Sequence, residues 1–403
     1  MNKRLLFITR HRLNESNGGA NCSKANVQCF AQLFDDCSLI FPEIDDTSLY
    51  VPTRYKLFPC HDGRSLVRKG IDMYRGVVSP LSAFTRQHLS THNYDVIVID
   101  HSFIASDMID EIRATGAQII TIHHNVERDY LRDNARMYSI LYRKPYVWYG
   151  EKAERSCLQA SSLNLTLTEQ DASAFRSWFK DANLHVHCWG VHEYKPIPDK
   201  VFKPRPKGHH FVITGSLSFW QSLMPIMEFL QTYWPCVVDM VPDAQLTITG
   251  RNPQKMLTDE CRKHRNVTVI PNPDNINSLV EQADYYICPI NAGSGLKLRV
   301  MDALRNGLQV ICHEVSAAGY EHIMQANGMF CYRDKPSFAE ALSAMLSTSS
   351  SPTDVYQAYR ETFSLEAGVE KLRAILLEEN ILQTSDGLLE KSDVDGPKSA
   401  VGR

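Results

Sequence analysis

The sequence predicts an α/β protein of two parallel-sheet domains, and three observations carry that expectation. Short β-rich runs alternate with longer helix-compatible segments, the pattern of parallel strands joined by crossover helices. The alternation runs twice, with a proline-rich break between the two halves. The length of 403 residues, 43% of them hydrophobic, exceeds one average domain. It suits two of roughly 200 residues each.

In the first half the expected strands are residues 5–9, 38–41, 96–100, 118–122, 163–167 and 185–189. In the second they are residues 211–214, 245–249, 267–270, 285–288, 308–312 and 329–332. The break holds Pro196, Pro198, Pro204 and Pro206, which do not fit inside a regular element. The expected units are a first domain over 1–195, a linker over 196–208, a second domain over 209–353 and a C-terminal helical region over 354–383. Residues 384–403 are polar, with Gly387, Gly396 and Pro397, and read as a disordered tail or an expression remnant.

Lys and Arg total 43 against 46 Asp and Glu, a net charge of -3, which excludes the basic balance of a nucleic-acid binder. Arg10-His11-Arg12 interrupts the first apolar run before a signal core forms, and no stretch approaches ~18 apolar residues. Eleven cysteines without a CxxC pair read as reduced, core-filling thiols of a cytoplasmic protein. Membrane contact is then peripheral, at the inner face. Residues 52–92 suit it, with Arg54, Lys56, Arg64, Arg68, Lys69, Arg75 and Arg86 against Asp62 and Asp72, among Leu66, Val67, Ile71, Met73 and Tyr74. Such a basic amphipathic stretch meets anionic headgroups or a diphosphate-linked acceptor, or is ordinary surface.

The most informative segment is residues 288–307. A strand ends, Gly293-Ser294-Gly295 follow, and a helix is expected to open near Leu296, with Val300, Ala303 and Leu304 on its apolar face and Asn306-Gly307 as its stop. Glycines and free amides at a strand's carboxyl end favour a phosphate. Lys297 adds a charge for a diphosphate, and Asp302 accepts from ribose hydroxyls. The plain alternative is a turn followed by a solvated Lys.

This segment resembles glycosyltransferase family 4, retaining enzymes of the GT-B fold, in which two Rossmann-like domains face a cleft. Many members carry two Glu with seven residues between them. Asp302 matches the second, and the GSGLK form of the loop has no match for the first. FVITGSL with Trp220, then PDAQLTITG, is similar to the opening of the family's donor domain, so the resemblance spans residues 211–320. It implies a nucleotide-sugar donor near Gly215, Arg251 and the Gly293–Leu296 loop, with Asn272 in the loop that meets the base. Gly18 and Gly19 resemble the paired glycines that approach the donor phosphate from the other domain, or form a flexible turn. The GxGxxG spacing of a dehydrogenase is absent.

His123-His124-Asn125-Val126-Glu127 follows a strand, and HNVE resembles a recurrent segment of this family branch. His124, Asn125 and Glu127, with His101 after the neighbouring strand, are candidates to bind acceptor hydroxyls or move a proton. Glu151, Glu154 and Arg155 read as a solvated face and helix cap. The resemblance implies retention of configuration, catalysis by positioning and charge stabilisation from Lys297, no cofactor and no metal. The expected partners are a nucleotide-sugar donor and a glycan or lipid-linked acceptor of surface polysaccharide or glycoconjugate assembly. A nucleotide-sugar epimerase of the same fold and a non-catalytic scaffold subunit are the rival readings.

Overall fold

The strand sequences are apolar on consecutive residues, and such strands need cover on both faces. In the computed structural model they receive it. The structure describes residues 3–15, 17–44, 51–74, 80–105, 107–134, 140–180, 183–202, 208–293, 295–325, 328–348 and 350–383. The expected tail over 384–403 therefore lies outside the described residues, as do Arg75 of the basic stretch and Ser294 of the glycine loop.

The first sheet contains β1 (Arg4–Thr9), β2 (Asp36–Pro42), β3 (Tyr55–Cys60), β4 (Val96–Asp100), β5 (Gln118–His123), β6 (Leu163–Thr166) and β7 (Val186–Cys188), ordered β3-β2-β1-β4-β5-β6-β7. The second contains β8 (His210–Ser216), β9 (Gln245–Arg251), β10 (Val267–Pro271), β11 (Tyr285–Cys288), β12 (Gln309–His313) and β13 (Met329–Tyr332), ordered β10-β9-β8-β11-β12-β13. Every pairing is parallel. Along β1, Leu5 and Phe7 enter one core while Leu6 and Ile8 enter the other. This two-sheet α/β architecture is the expected one.

Strand β3 was not among the expected strands. It is an edge strand in which only the first and last residues, Tyr55 and Cys60, are buried, and Pro59 within it argues against a strand in the sequence. Its stretch is also less basic in effect than in sequence. Arg64 pairs with Asp62 at 2.9 Å and Asp72 at 3.4 Å, Arg68 with Asp72 at 2.8 Å, Lys56 with Asp36 at 2.8 Å, and Arg86 with Glu111 at 2.6 Å. Leu66 and Val67 stay exposed at the start of the helix Leu66–Tyr74.

The helical region expected over 354–383 holds two helices, Pro352–Phe363 and Leu365–Glu378, divided at Ser364, which ends one and caps the next. Their apolar faces go to different domains. Val355, Tyr359 and Phe363 enter a core of the second sheet, whereas Val369, Leu372 and Leu376 join Phe30 and Trp189 in a core of the first. The Trp189 indole donates to the Gly368 carbonyl at 3.0 Å. The linker is pinned as well: the Tyr356 hydroxyl donates to the Pro198 carbonyl, and Lys200 to Asn306 at 2.6 Å.

Candidate active site

In each sheet the chain leaves two adjacent strands in opposite directions at one point, β1 and β4 in the first and β8 and β11 in the second. Crevices beyond the carboxyl ends of such strands are where open α/β sheets bind ligands.

At the second crevice Gly215 and Gly250 pair in register and both have positive φ, +152° and +155°. A Cβ on Gly250 would lie 1.7 Å from the Gly215 carbonyl oxygen, so two backbones meet where no side chain fits. Gly215 makes room for a protein group: its Cβ would lie 2.4 Å from an Arg299 guanidinium nitrogen. Arg299 donates to the Thr214 carbonyl at 3.2 Å and the Ser222 hydroxyl at 2.9 Å.

The helix expected to open near Leu296 begins instead at Arg299 and runs to Arg305. Positive φ at Gly293 and Gly295 keeps the preceding segment non-helical. Lys297 therefore lies in the loop, where its ammonium donates to the Gly293 carbonyl at 2.8 Å and the Gly295 carbonyl at 3.0 Å. Burial lowers its pKa, with Cys288 and Asp171 pulling the other way. Asp302 pairs with Arg305 at 3.1 Å, and Arg305 reaches Glu193 before the linker at 2.8 Å. Burial raises the Asp302 carboxyl. Arg251 is exposed at the end of β9, and Asn272 accepts from the Asn252 amide at 2.8 Å, closing the turns after β9 and β10.

At the first crevice Asp100 is fully buried and accepts from Thr9 at 2.8 Å, Asn26 at 2.9 Å, His124 Nε2 at 2.8 Å and the Ser23 hydroxyl. Burial alone would raise its carboxyl, but His124, His11 and Ser23 hold it well below the usual carboxylate range. His101, next in sequence, has φ +88°, rare for a residue with a side chain, and its Nε2 lies 3.2 Å from Glu127. Burial raises the Glu127 carboxyl, opposed by Arg10. His123 points elsewhere, to Asn164 at 3.0 Å.

The expected solvated face around Glu154 is corrected. Glu154 is fully buried and accepts from the Glu127 amide at 2.6 Å and the Arg128 amide at 3.1 Å. It caps the helix that follows the HNVE segment, and burial lifts its pKa to about 8.

The two crevices meet. A Cβ on Gly295 would lie 2.8 Å from Asn125 Oδ1 and 3.1 Å from the His124 carbonyl oxygen, and one on Gly18 would lie 3.0 Å from Leu298 Cδ1. Loops of both domains thus close on each other at His124, Asn125 and the glycine loop.

Residues 208–348 match the family model of the glycosyl transferases group 1. The matched stretch holds Gly215, Arg251, Asn272, Gly293, Gly295, Leu296, Lys297 and Asp302. An uncharacterized 44.6 kDa protein in the cps region of Klebsiella pneumoniae is 22% identical over 60% of the chain and 63% of its own length, so the match spans less than two thirds of that relative. Among solved structures, HepE of Anabaena in complex with UDP superposes with TM-score 0.63 at 12% identity, over 93% of this chain and 100% of that one. The apo lipopolysaccharide outer core galactosyltransferase WaaB does so with TM-score 0.64 at 11% identity, over 93% and 99%. The shared fold is GT-B.

Sequence reasoning missed Arg299, Asp100 and His11. Arg299 stands two residues beyond Lys297 and was hidden by its assignment to the helix interior. Asp100 reads as the last residue of a strand, and only the fold brings Thr9, Ser23, Asn26 and His124 around it. His11 stacks on His124 with ring centroids 5.4 Å apart. Gly19 makes room for it, because a Cβ there would lie 2.4 Å from His11 Cε1.

Proposed function

We propose that the chain transfers a sugar from a nucleotide-sugar donor to a hydroxyl of a glycan or lipid-linked acceptor, with retention of configuration, in the assembly of a surface polysaccharide or glycoconjugate. The observation that supports it best is the approach of the Gly293–Lys297 loop of the second domain to His124 and Asn125 of the other domain. A diphosphate at the second crevice is met by loop amides, by Lys297 and by Arg299, which take up charge as it departs. The reaction then needs no metal and no cofactor. Asp302 reaches the donor hydroxyls from the helix, while Arg251 and Asn272 flank the base.

The His124–Asp100 pair orients the acceptor hydroxyl, with Asn125, Glu127 and His101 beside it. Departing diphosphate and incoming hydroxyl share one face of the sugar, so positioning replaces a protein nucleophile. The complexes of HepE with UDP and with UDP-glucose favour a uridine nucleotide. The cps region of the Klebsiella relative favours surface polysaccharide.

No described helix is long and apolar enough to cross a membrane. We place the protein in the cytoplasm, with peripheral contact at the membrane through residues 52–92, led by Leu66 and Val67.

The test is a thermal-shift screen of the full chain against UDP-, GDP-, ADP- and dTDP-sugars, followed by mass spectrometry and NMR of the product with acceptor and chelator present. Transfer with the donor's anomeric configuration, unaffected by chelator, is expected. Sugar isomerisation without acceptor would identify an epimerase, and no response to any donor would identify a scaffold subunit.

A further inference from the structure

A row of sulfur crosses one side of the second sheet. Cys288 on β11 pairs in register with Cys312 on β12, which pairs in register with Cys331 on β13. The Cys312 and Cys331 sulfurs lie 3.7 Å apart, and Met324 Sδ of the helix Glu321–Gln325 lies 3.3 Å from Cys331 Sγ. A cysteine fills a core as a small hydrophobe and needs no sulfur neighbour for that.

The two thiols are not equivalent. β12 lies inside its sheet and β13 at the edge, and Cys312 is fully buried while Cys331 is half-buried. The hydrogen bond between them lowers the Cys331 pKa, opposed by burial, and together with burial raises that of Cys312. Thiolate is the reactive form of cysteine. The sulfur nearer solvent is therefore the nucleophile, and the thiol behind it is placed to resolve what forms there. The backbone allows the two to join, since neighbouring strands lie about 4.8 Å apart, inside the roughly 4.4–6.8 Å between the Cα atoms of a disulfide.

The pair is also connected to the glycine loop. β12 leads into the turn Glu314–Ser316, whose Ser316 hydroxyl accepts from Cys288 Sγ at 3.4 Å and donates to the Ile290 carbonyl at 2.7 Å. Ile290 begins the segment that carries Gly293 and Lys297. A bond that draws the sulfurs from 3.7 Å to about 2 Å must shift Cys312, and with it the turn that holds Ile290.

We propose that Cys312 and Cys331 form a reversible disulfide when hydrogen peroxide reaches the β13 edge, and that closing it weakens nucleotide binding through Ser316 and Ile290. The Cys331 thiolate attacks one peroxide oxygen. An S–O bond forms, the O–O bond breaks, and the hydroxide that departs takes up the proton Cys331 had lost. The Cys312 sulfur then displaces hydroxide from the sulfenic acid, and that hydroxide leaves as water with the Cys312 proton. Two thiols and one peroxide become one disulfide and two waters. A transient disulfide is the kind a reducing compartment permits. The bond stands apart from the glycosyltransferase reading, and only its effect on nucleotide rests on it.

The experiment compares the full chain kept reduced with the full chain treated with hydrogen peroxide, both then alkylated with iodoacetamide. Cleavage after Glu314 and Glu321 separates the two cysteines, so a disulfide appears as a cross-linked pair of peptides. That pair is expected after peroxide and should vanish with dithiothreitol. Calorimetry on the same samples uses whichever of UDP, GDP, ADP and dTDP most raises the melting temperature of the reduced chain. Affinity should fall about fivefold on oxidation, the effect of one hydrogen bond, and return with dithiothreitol. Cys331→Ser and Cys331→Ala, both at the sheet edge, should bind like the reduced chain before and after peroxide.

Peroxide that leaves both thiols free, stops at an acid of Cys331, or joins Cys331 to another cysteine would overturn the disulfide. A disulfide without a change in affinity, or a fall that persists in both Cys331 variants, would overturn its effect on the loop. A reduced chain that answers to no nucleotide sinks the glycosyltransferase reading and that effect with it, while the peptide masses still decide the bond.

Discussion

Where β8 and β11 diverge, the residues that gather are glycines and cations. Where β1 and β4 diverge, they are imidazoles around one buried carboxylate. The backbone plan is common to both, so the difference lies in what each strand end delivers. In the second crevice Gly250 lets two strand ends meet, and Gly215 makes room for Arg299. In the first, Gly19 admits the His11 ring against His124.

The largest effect should come from Gly250→Ala. The new methyl would overlap the Gly215 carbonyl oxygen at 1.7 Å, and neither backbone has room to shift without parting β8 from β9. A loss of roughly 3 kcal/mol is expected, read from the urea midpoint. A near-wild-type midpoint would mean that the strand ends are looser than this contact implies.

Asp100→Asn tests the first crevice with little change of shape. It removes the charge that orients His124, and transfer should fall about 100-fold while nucleotide affinity, set in the other domain, stays the same. Parallel loss of both would erase the division between the crevices.

Lys297→Ala is the matching change in the second crevice, expected to weaken nucleotide binding about 10- to 100-fold, since a charge-assisted contact contributes roughly 1.5–3 kcal/mol. Lys297 also ties the Gly293 and Gly295 carbonyls, so a small drop in melting temperature should accompany it. Calorimetry with unchanged affinity would remove Lys297 from the donor site.

The two crevices should also differ in response to acid. The pKa of His11 is lowered to about 3, chiefly by burial, while an unfolded histidine titrates near ~6.5. Below ~6.5 the unfolded chain therefore binds the extra proton, so this contribution to stability is full above that pH and is lost as pH falls toward 3. His123, lowered to about 4, acts in the same direction. His11→Phe should flatten the pH dependence of the urea midpoint between ~6.5 and ~4, and an unaltered slope would show that His11 is not buried as a neutral ring.

Asp302→Asn should have the smallest effect. Arg305 keeps Glu193 as a partner, so the helix should hold and turnover should fall a few-fold through poorer donor alignment. Wild-type kinetics would confine Asp302 to its pair with Arg305.

How much of this was legible follows from where the information sits. Consecutive apolar residues at 96–99 and 285–288 announce buried parallel strands, because strands covered on both faces read as continuous apolar runs. Edge strand β3 was missed because Pro59 within it argues against a strand, and only an edge position tolerates it. The glycine loop was visible as a break in pattern, but the start of its helix was not, since the positive φ at Gly293 and Gly295 that precedes it belongs to the folded backbone. The charge run around Arg64 was read as a headgroup- or diphosphate-binding stretch or ordinary surface, and its pairing with Asp72 appears only in the fold.

The sequence by itself determined the two-sheet α/β architecture and most of its strands, because hydrophobic period and chain breaks are local properties. Tertiary structure decided which side chains share a site. Asp100 lies 91 residues from Thr9 and 24 from His124, and no local pattern records such a distance. Burial, which keeps His11 neutral and raises Glu154, is likewise a property of what packs around a group. The Leu365–Glu378 helix shows the same limit: its apolar face was readable, but only the fold sent it back to the first domain.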